Sequence, residues 1–298
     1  MRVYVTGAGR GFVGAHVVQA LREAGHEVRD RWADVRELEP LLRAVDGCEA
    51  VCHVAALYSY TAPAHELEAV NVLGTANVVE ACRRAGVGRL VHTSTCGTCG
   101  PVAGRTATEA DSPPEWELAV PYKWTKLEAE RLALAAGAVC VNPTAPVGDG
   151  DRSPTPTGAM VRGVASGRYR VSLSSTGLNL VDVRDVALGH VLALERGRPG
   201  ERYLLGGVNL TLTEVFSAIA RLAGRRGPLC ALPWGVARVL AAARLANPQE
   251  VALARLPAWF SSAKAERELG YRPGPVEPAL ARAVAERARL RALRREPA

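Results

Sequence analysis

Short apolar runs alternate with longer amphipathic stretches through the first half of the chain. Residues 3–5 form an apolar run that a glycine cluster follows, and Val13, Val17 and Leu21 then recur on one helical face that ends at Gly25. Buried parallel strands joined by crossover helices have this pattern, so the sequence predicts an α/β fold. The other strands and helices predicted in this half are residues 51–54, 67–84, 90–92, 126–136 and 139–141.

The pattern changes after Asp149, where prolines, glycines and a serine-rich run appear. We therefore expect one domain over residues 1–150 and a smaller, partly helical lobe over residues 151–298. Residues 176–190 are expected to rejoin the first domain, because residues 179–183 have the pattern of a strand that could add to its sheet.

Composition places the chain among globular proteins. It has 298 residues, 48% of them hydrophobic, and a mean hydropathy of +0.02. No apolar run approaches the roughly 18 residues that a membrane-spanning helix needs. The N-terminus enters a strand pattern instead of a basic stretch followed by a signal-peptide core. We expect a cytoplasmic protein without a membrane partner.

The net charge changes this picture little. Lys and Arg outnumber Asp and Glu by 37 to 30, and much of the excess lies in the last 20 residues, where arginines recur at helical spacing without interleaved aromatics. This favours a solvated C-terminal helix over nucleic-acid binding. The seven cysteines are odd in number and scattered, which predicts reduced core residues and no disulfide framework.

A glycine-rich turn follows the first predicted strand. Glycines there allow a tight turn from strand to helix and close approach of a pyrophosphate, while the helix N-terminus supplies amide donors. In an alternating α/β chain this motif predicts a Rossmann-type, doubly wound parallel sheet that binds a dinucleotide. The residues expected to contact the cofactor at the turn are Gly7, Arg10, Gly11, Phe12, Val13 and Gly14.

Two further patterns carry candidate chemistry. Tyr122 and Lys126 are four residues apart, so on a helix they share a face, and a nearby ammonium would lower the pKa of the phenol. By itself this spacing is also typical of an ordinary helix face. A predicted strand ends in Thr93, Ser94 and Thr95, whose hydroxyls would face a ligand crevice. A strand-end cap is the alternative role, and it suits Ser94 better than Thr95.

Together these sites resemble the extended branch of the short-chain dehydrogenase/reductase superfamily. Members carry TGxxGxxG, a Ser or Thr at the end of the fifth strand, and YxxxK about 25 residues later. The resemblance implies that Thr95 holds the substrate oxygen, that Tyr122 is the general acid/base and that Lys126 assists it. It also implies cofactor contacts from Asp34, Val35, Ala55, Ala56, Tyr122, Lys126 and Pro143.

Other segments extend the resemblance over nearly the whole chain, among them residues 71–77, 142–148, 154–158, 176–183 and 206–212. Within the branch they look most like the hopanoid-associated sugar epimerase group, which lies near the dihydroflavonol-4-reductases.

Two departures from the family pattern affect the cofactor site. The glycine motif has one extra residue, so Gly9 or Gly11 could take its middle position, and we favour Gly11. Only five residues separate Val28 from Asp34. About one helix and one strand are thus missing after the second strand, together with the loop that reads the adenosine ribose.

This shortening leaves the choice between NAD and NADP open. Arg10, Arg29 and Arg31 could bind a 2′-phosphate, whereas Asp30 could bind the free diol, so charge slightly favours NADP.

A third departure from the family pattern is a CxxC sequence at Cys96 and Cys99. No second ligand pair has zinc spacing, so we expect plain substitution and no metal.

The sequence therefore predicts an NAD(P)-dependent oxidoreductase that transfers hydride between nicotinamide and a secondary alcohol or ketone carbon of a small molecule. The alternatives are a sugar or sugar-nucleotide epimerase/dehydratase and a catalytically inactive, cofactor-sensing protein.

The substrate lobe favours the reductase over the sugar-nucleotide enzyme. Two arginines that usually anchor the sugar nucleotide are replaced around Asn179 and residues 247–250, although Arg162 or Arg184 could substitute. Family members often dimerise through the YxxxK helix, where apolar residues would suit a homodimer: Leu127, Leu132 and Leu134.

Overall fold

The computed structural model describes residues 1–8, 11–152, 155–244 and 248–293. Its centre is a six-stranded sheet with the strand order β2-β1-β3-β4-β5-β9, in which every neighbouring pair is parallel. The strands of this sheet are β1 (Arg2–Thr6), β2 (Glu27–Arg29), β3 (Ala50–His53), β4 (Arg89–Thr93), β5 (Val139–Pro143) and β9 (Arg202–Leu205).

Helices cover both faces of this sheet. Alternate side chains of β1 point to opposite faces of the sheet. Val3 and Val5 pack with α1 (Phe12–Glu23) and α8 (Val183–Arg196), whereas Tyr4 packs with α2 (Leu38–Val45) and α4 (Gly74–Ala85). The prediction of a doubly wound sheet is therefore confirmed. The helices of this part are α1 (Phe12–Glu23), α2 (Leu38–Val45), α3 (Ala64–Glu68), α4 (Gly74–Ala85), α5 (Glu115–Leu118), α6 (Pro121–Ala135) and α8 (Val183–Arg196).

The sheet is short at the β2 edge, as predicted. β2 has three residues, and the chain turns directly from it through Asp34 and Val35 into α2 and β3. β2 pairs only with β1 in the described part of the chain, so it forms one edge of the sheet.

A smaller lobe is built from two further sheets and several helices. The strand orders are β10-β8-β6 and β11-β7. Its strands are β6 (Ala145–Val147), β7 (Val171–Leu173), β8 (Gly177–Asp182), β10 (Val208–Thr211) and β11 (Cys230–Leu232). Its helices are α7 (Pro156–Ser166), α9 (Leu212–Leu222), α10 (Trp234–Ala242), α11 (Pro248–Leu253), α12 (Ala263–Leu269) and α13 (Glu277–Leu293).

The strand predicted at residues 179–183 forms as β8, but it does not rejoin the main sheet. It pairs with β6 and β10, and the Asn179 side chain forms hydrogen bonds with Thr144 and Asn209 on either side. The chain returns through α8, which packs on α1, and β9 then pairs with β5. An apolar run has the same pattern in either sheet, so sequence could not distinguish them.

The C-terminal helix also differs from the solvated helix expected. Ala279 and Leu280 on α13 are buried in the core of the smaller lobe. Arg282 forms ion pairs with Asp149 at 2.9 Å and with Asp182 at 2.5 Å, so its charge is compensated internally.

The apolar residues predicted for a homodimer on α6 differ in exposure: Leu127 is buried and Leu132 is exposed. The homodimer remains a prediction.

Candidate active site

The glycine turn packs closely against the end of β3. Gly7 has a φ of +71°, and a Cβ there would lie 3.0 Å from the Cα of Ala55. A Cβ at Gly14 would lie 2.9 Å from the carbonyl oxygen of Gly7. Only glycine fits these approaches without displacement, which accounts for both residues in the motif.

Helix α1 begins immediately after the turn. Gly11 is its N-cap residue, and no side chain caps the helix, so the first amide groups remain available to an anion. Phe12 and Val13, half-buried, supply two of these amides. This cradle fits a pyrophosphate. Gly9 and Arg10 lie outside the described residues.

Thr6 fixes the segment that follows β3. Its hydroxyl accepts hydrogen bonds from the backbone amides of Val54 and Ala55, both at 3.0 Å. The same oxygen lies 2.8 Å from Nδ1 of His53, whose Nε2 lies 3.0 Å from the Thr75 hydroxyl. Burial lowers the pKa of His53 to about 3, so its ring is neutral and serves as a fixed support. Ala56 follows as an exposed residue beside this support.

Asp34 and Val35 lie at the edge of the same crevice. The Val35 carbonyl accepts a hydrogen bond from Asn77 at 3.0 Å, and the Val35 side chain packs so closely on Gly74 that a Cβ there would lie 2.7 Å away. The Asp34 carboxylate accepts hydrogen bonds from Arg36, which lower its pKa. Both predicted cofactor contacts are thus held in place.

The three predicted catalytic residues lie at the carboxyl end of β4 and in the N-terminal half of α6. Tyr122 lies in the first turn of α6, and the Thr95 side chain is among the groups that act on the pKa of its phenol. Lys126, one turn later and buried, donates to the carbonyl of Thr93 at 2.8 Å. Pro143, at the end of the adjacent strand β5, is also buried.

The pKa of Tyr122 moves in the direction opposite to the one expected. Burial raises it well above the usual value, with further contributions from Tyr58 and Cys96, while the hydrogen bond with Thr95 acts in the other direction. Lys126 directs its ammonium to a backbone carbonyl, and burial lowers its own pKa to about 8. Helical spacing predicts a shared face, but it cannot predict where the lysine head group points.

A buried polar network holds the Thr95 segment, and sequence reasoning did not find it. Asn142 donates to the Thr95 carbonyl at 3.1 Å and to Glu130 at 2.5 Å. Glu130 also accepts from the Thr98 hydroxyl at 2.8 Å and pairs with Arg202 at 2.8 Å. Asn142 belonged to a recognised motif, but a single glutamate within a helix gives no signal of such a role.

Aromatic residues surround Tyr122, and these were also missed. The Tyr58 ring stacks on Tyr122 with centroids 4.6 Å apart, and the Tyr60 ring meets Tyr122 edge-on at 5.9 Å. Asn71, in a π-helical turn (Ala69–Leu73), holds the backbone of Leu57 through hydrogen bonds of 2.8 and 3.2 Å. The loop that carries both tyrosines is therefore tied to the helix beside the site.

Asn179, at one phosphate-anchor position, and the possible substitutes Arg162 and Arg184 all form contacts within the protein. Asn179 is buried, donates to Asn209 at 2.7 Å and accepts from Thr144 at 2.9 Å. Arg162 donates to the Asp151 carbonyl, and Arg184 pairs with Asp149 at 3.3 Å. Residue 247 lies outside the described residues.

The CxxC cysteines are surrounded by apolar and hydrogen-bonding groups. Burial raises the pKa of Cys96 to about 11 and that of Cys99 to about 12, which keeps both as thiols. Across the described residues, no group of three or more His, Cys, Asp or Glu side chains is arranged to hold a metal ion. Nor does any helix described here combine the length and apolar character needed to cross a membrane.

Comparison with known proteins agrees with this geometry. Residues 3–206 match the model of the NAD dependent epimerase/dehydratase family. A Synechocystis sp. protein provisionally named a dihydroflavonol 4-reductase is 34% identical over 94% of this chain and 93% of its own length. The 2-alkyl-3-oxoalkanoate reductase of Stenotrophomonas maltophilia is 30% identical over 92% of this chain and 95% of its own.

The solved structures give the same result. The crystal structure of gox2253 superposes with a TM-score of 0.86 at 34% identity, covering 97% of this chain and 98% of that chain. The chain belongs to the NAD dependent epimerase/dehydratase family. The resemblance to extended short-chain dehydrogenases/reductases is thereby confirmed, and the family uses nicotinamide cofactors.

Proposed function

We propose that this protein is an NAD(P)-dependent reductase or dehydrogenase that interconverts a small ketone and its secondary alcohol. The observation that carries this proposal is the arrangement at the carboxyl end of β4, where Lys126 lies one helical turn after Tyr122 and donates to the carbonyl of Thr93, two residues before Thr95. Ligands of open α/β sheets bind at this edge.

Each residue has a defined part in the reaction. The cofactor, when bound, supplies or accepts the hydride at its nicotinamide ring. Tyr122 gives a proton to the substrate oxygen during reduction and takes one back during oxidation. Thr95 donates a hydrogen bond that holds this oxygen within reach of the phenol. The Lys126 ammonium, fixed by Thr93, would bind the ribose hydroxyls and favour the phenolate during proton transfer.

The cofactor would lie along the crevice from the glycine turn to Tyr122. Its pyrophosphate would meet the first turn of α1, its adenine would meet the segment after β2, and its nicotinamide half would meet the ends of β3, β4 and β5. The residues proposed to contact it are Gly7, Arg10, Gly11, Phe12, Val13, Gly14, Asp34, Val35, Ala55, Ala56, Tyr122, Lys126 and Pro143.

The surroundings of Tyr122 favour an apolar substrate over a sugar nucleotide. Leu253 of α11, Leu57 and Tyr60 pack in one apolar cluster with the catalytic ring. The buried Asn179, at one phosphate-anchor position, is already hydrogen-bonded within the protein. A diphosphate would need charge-assisted donors that these side chains do not provide.

Replacing Tyr122 by Phe tests the proposal. Loss of the proton donor should reduce turnover by roughly 10²–10⁴-fold, while the cofactor Kd changes little. Tyr169→Phe, at an exposed tyrosine, is the matched control and should retain full activity. Full activity of the Tyr122→Phe variant would refute the assignment.

The nicotinamide absorbance distinguishes this reaction from epimerisation. A panel of apolar ketones and secondary alcohols incubated with stoichiometric cofactor should give a net change in reduced cofactor. Product formed from a sugar substrate without net change would instead identify an epimerase.

A further inference from the structure

The arginines of the smaller lobe occur in long stretches without acidic residues. Residues 152–181 contain four arginines and residues 215–249 contain five, and neither stretch contains Asp, Glu or Lys. The local excess of nine positive charges is larger than the formal +7 of the whole chain. The basic character of the protein is therefore concentrated on this lobe as well as on the C-terminal helix.

The two stretches lie side by side. β7 pairs with β11, and the amide of Leu229 donates to the carbonyl of Arg170 at 2.7 Å. Arg170, Arg225 and Arg226 line one open groove. Within the described part of the chain, no carboxylate forms an ion pair with any of these three guanidinium groups. They are exposed, so their field extends into solvent.

Large apolar side chains are exposed in the segments that follow these arginines in the chain. Leu229 is 65% exposed and Val239 is 67% exposed, and Val171 and Val236 are exposed as well. α10 is held firmly by its other face, where Ala237 and Ala241 pack in a cluster with residues of β7 and α11. We call this surface the lobe patch; it comprises Arg170, Val171, Arg225, Arg226, Leu229, Val236 and Val239.

We propose that the lobe patch docks on an anionic lipid surface. Uncompensated guanidinium groups are attracted to acidic headgroups, while exposed aliphatic side chains gain free energy by entering the acyl boundary. A nucleic acid would match the charge but would leave the aliphatic side chains in water. This inference departs from the expectation that membranes are not partners, because surface docking requires no spanning helix.

The position of the lobe patch suits the proposed reaction, and this part of the inference rests on the proposed function. α10 packs on α11, whose Leu253 packs in the cluster around Tyr122. The lobe patch and the proposed site of an apolar substrate are therefore connected through two packed helices. Docking itself requires no catalysis and is measured independently.

Co-sedimentation of the full chain with vesicles tests the inference. We expect binding to phosphatidylglycerol/phosphatidylcholine (3:1) vesicles, weaker binding at high salt, and little binding to pure phosphatidylcholine. Arg225→Glu with Arg226→Glu, and separately Leu229→Ser with Val239→Ser, should each lower the vesicle partition coefficient roughly tenfold or more.

Matched controls separate the lobe patch from general charge or hydrophobicity. Arg43→Glu with Arg131→Glu makes the same change in net charge elsewhere, and Leu188→Ser removes an exposed leucine of α8; both should bind vesicles like the wild type. All variants should keep activity on a water-soluble substrate. Absence of vesicle binding, equal loss in the controls, or tighter binding to duplex DNA than to vesicles would overturn the inference.

Discussion

Lys126 shows how burial changes the chemistry of a single residue. Its ammonium is buried with one backbone carbonyl acceptor 2.8 Å away, and burial lowers its pKa to about 8 from 10.5. It also lies near His53 and His92, whose pKa values it helps to depress. The lysine therefore loses its charge at a lower pH than a surface lysine does.

This shift predicts a pH-dependent stability. Between the folded pKa of about 8 and the unfolded pKa of about 10.5, the unfolded chain binds more protons at this site, so the stability contributed there rises with pH. Urea unfolding should show the wild type gaining up to roughly 3 kcal/mol relative to Lys126→Met across this window. A difference that stays flat or falls with pH would contradict the shift.

At the scale of elements, β4, β5, β9 and α6 are joined by one buried network. Glu130 on α6 receives hydrogen bonds from Asn142 on β5 and from Arg202 on β9. The network ends at the carbonyl of Thr95. The Thr95 segment is therefore positioned by three secondary-structure elements that are distant in sequence.

Breaking this network should affect both stability and turnover. Glu130→Gln leaves the mostly buried Arg202 without its charged partner, which should cost roughly 2–4 kcal/mol in the free energy of unfolding. It should also reduce kcat, because the Thr95 segment loses its support. Glu277→Gln, which breaks a largely exposed pair with Arg221, is the control and should cost less than about 1 kcal/mol. Equal losses in both variants would refute a positioning role.

At the scale of the whole molecule, the short β2 edge bears on the proposed adenosine site. Arg29 donates to the carbonyl of Asp46 at 2.6 Å, and Asp30 pairs with Arg22 at 2.9 Å. Both candidates are thus engaged within the protein. Arg31, the next residue, is exposed beyond the strand end, and it is our leading candidate for a 2′-phosphate contact.

Cofactor preference should therefore depend on Arg31. If the enzyme prefers NADPH, Arg31→Ala should weaken NADPH binding by roughly tenfold and leave NADH binding nearly unchanged. Fluorescence titration with both cofactors measures this, and Arg131→Ala on the distant helix α6 is the control. An equal effect on both cofactors would exclude a specific contact with the 2′-phosphate.

The sequence by itself determined the alternation of buried strands and helices, the glycine turn and the placement of Tyr122 and Lys126 one turn apart on a helix, because these depend on local periodicity and on residues close in the chain. Tertiary structure decided that β9, and not β8, completes the main sheet. It also decided that Glu130 and Asn142 support Thr95, that Tyr58 stacks on Tyr122, and that the phenol is raised in pKa. These properties arise from contacts between distant segments and from burial, which no local pattern records.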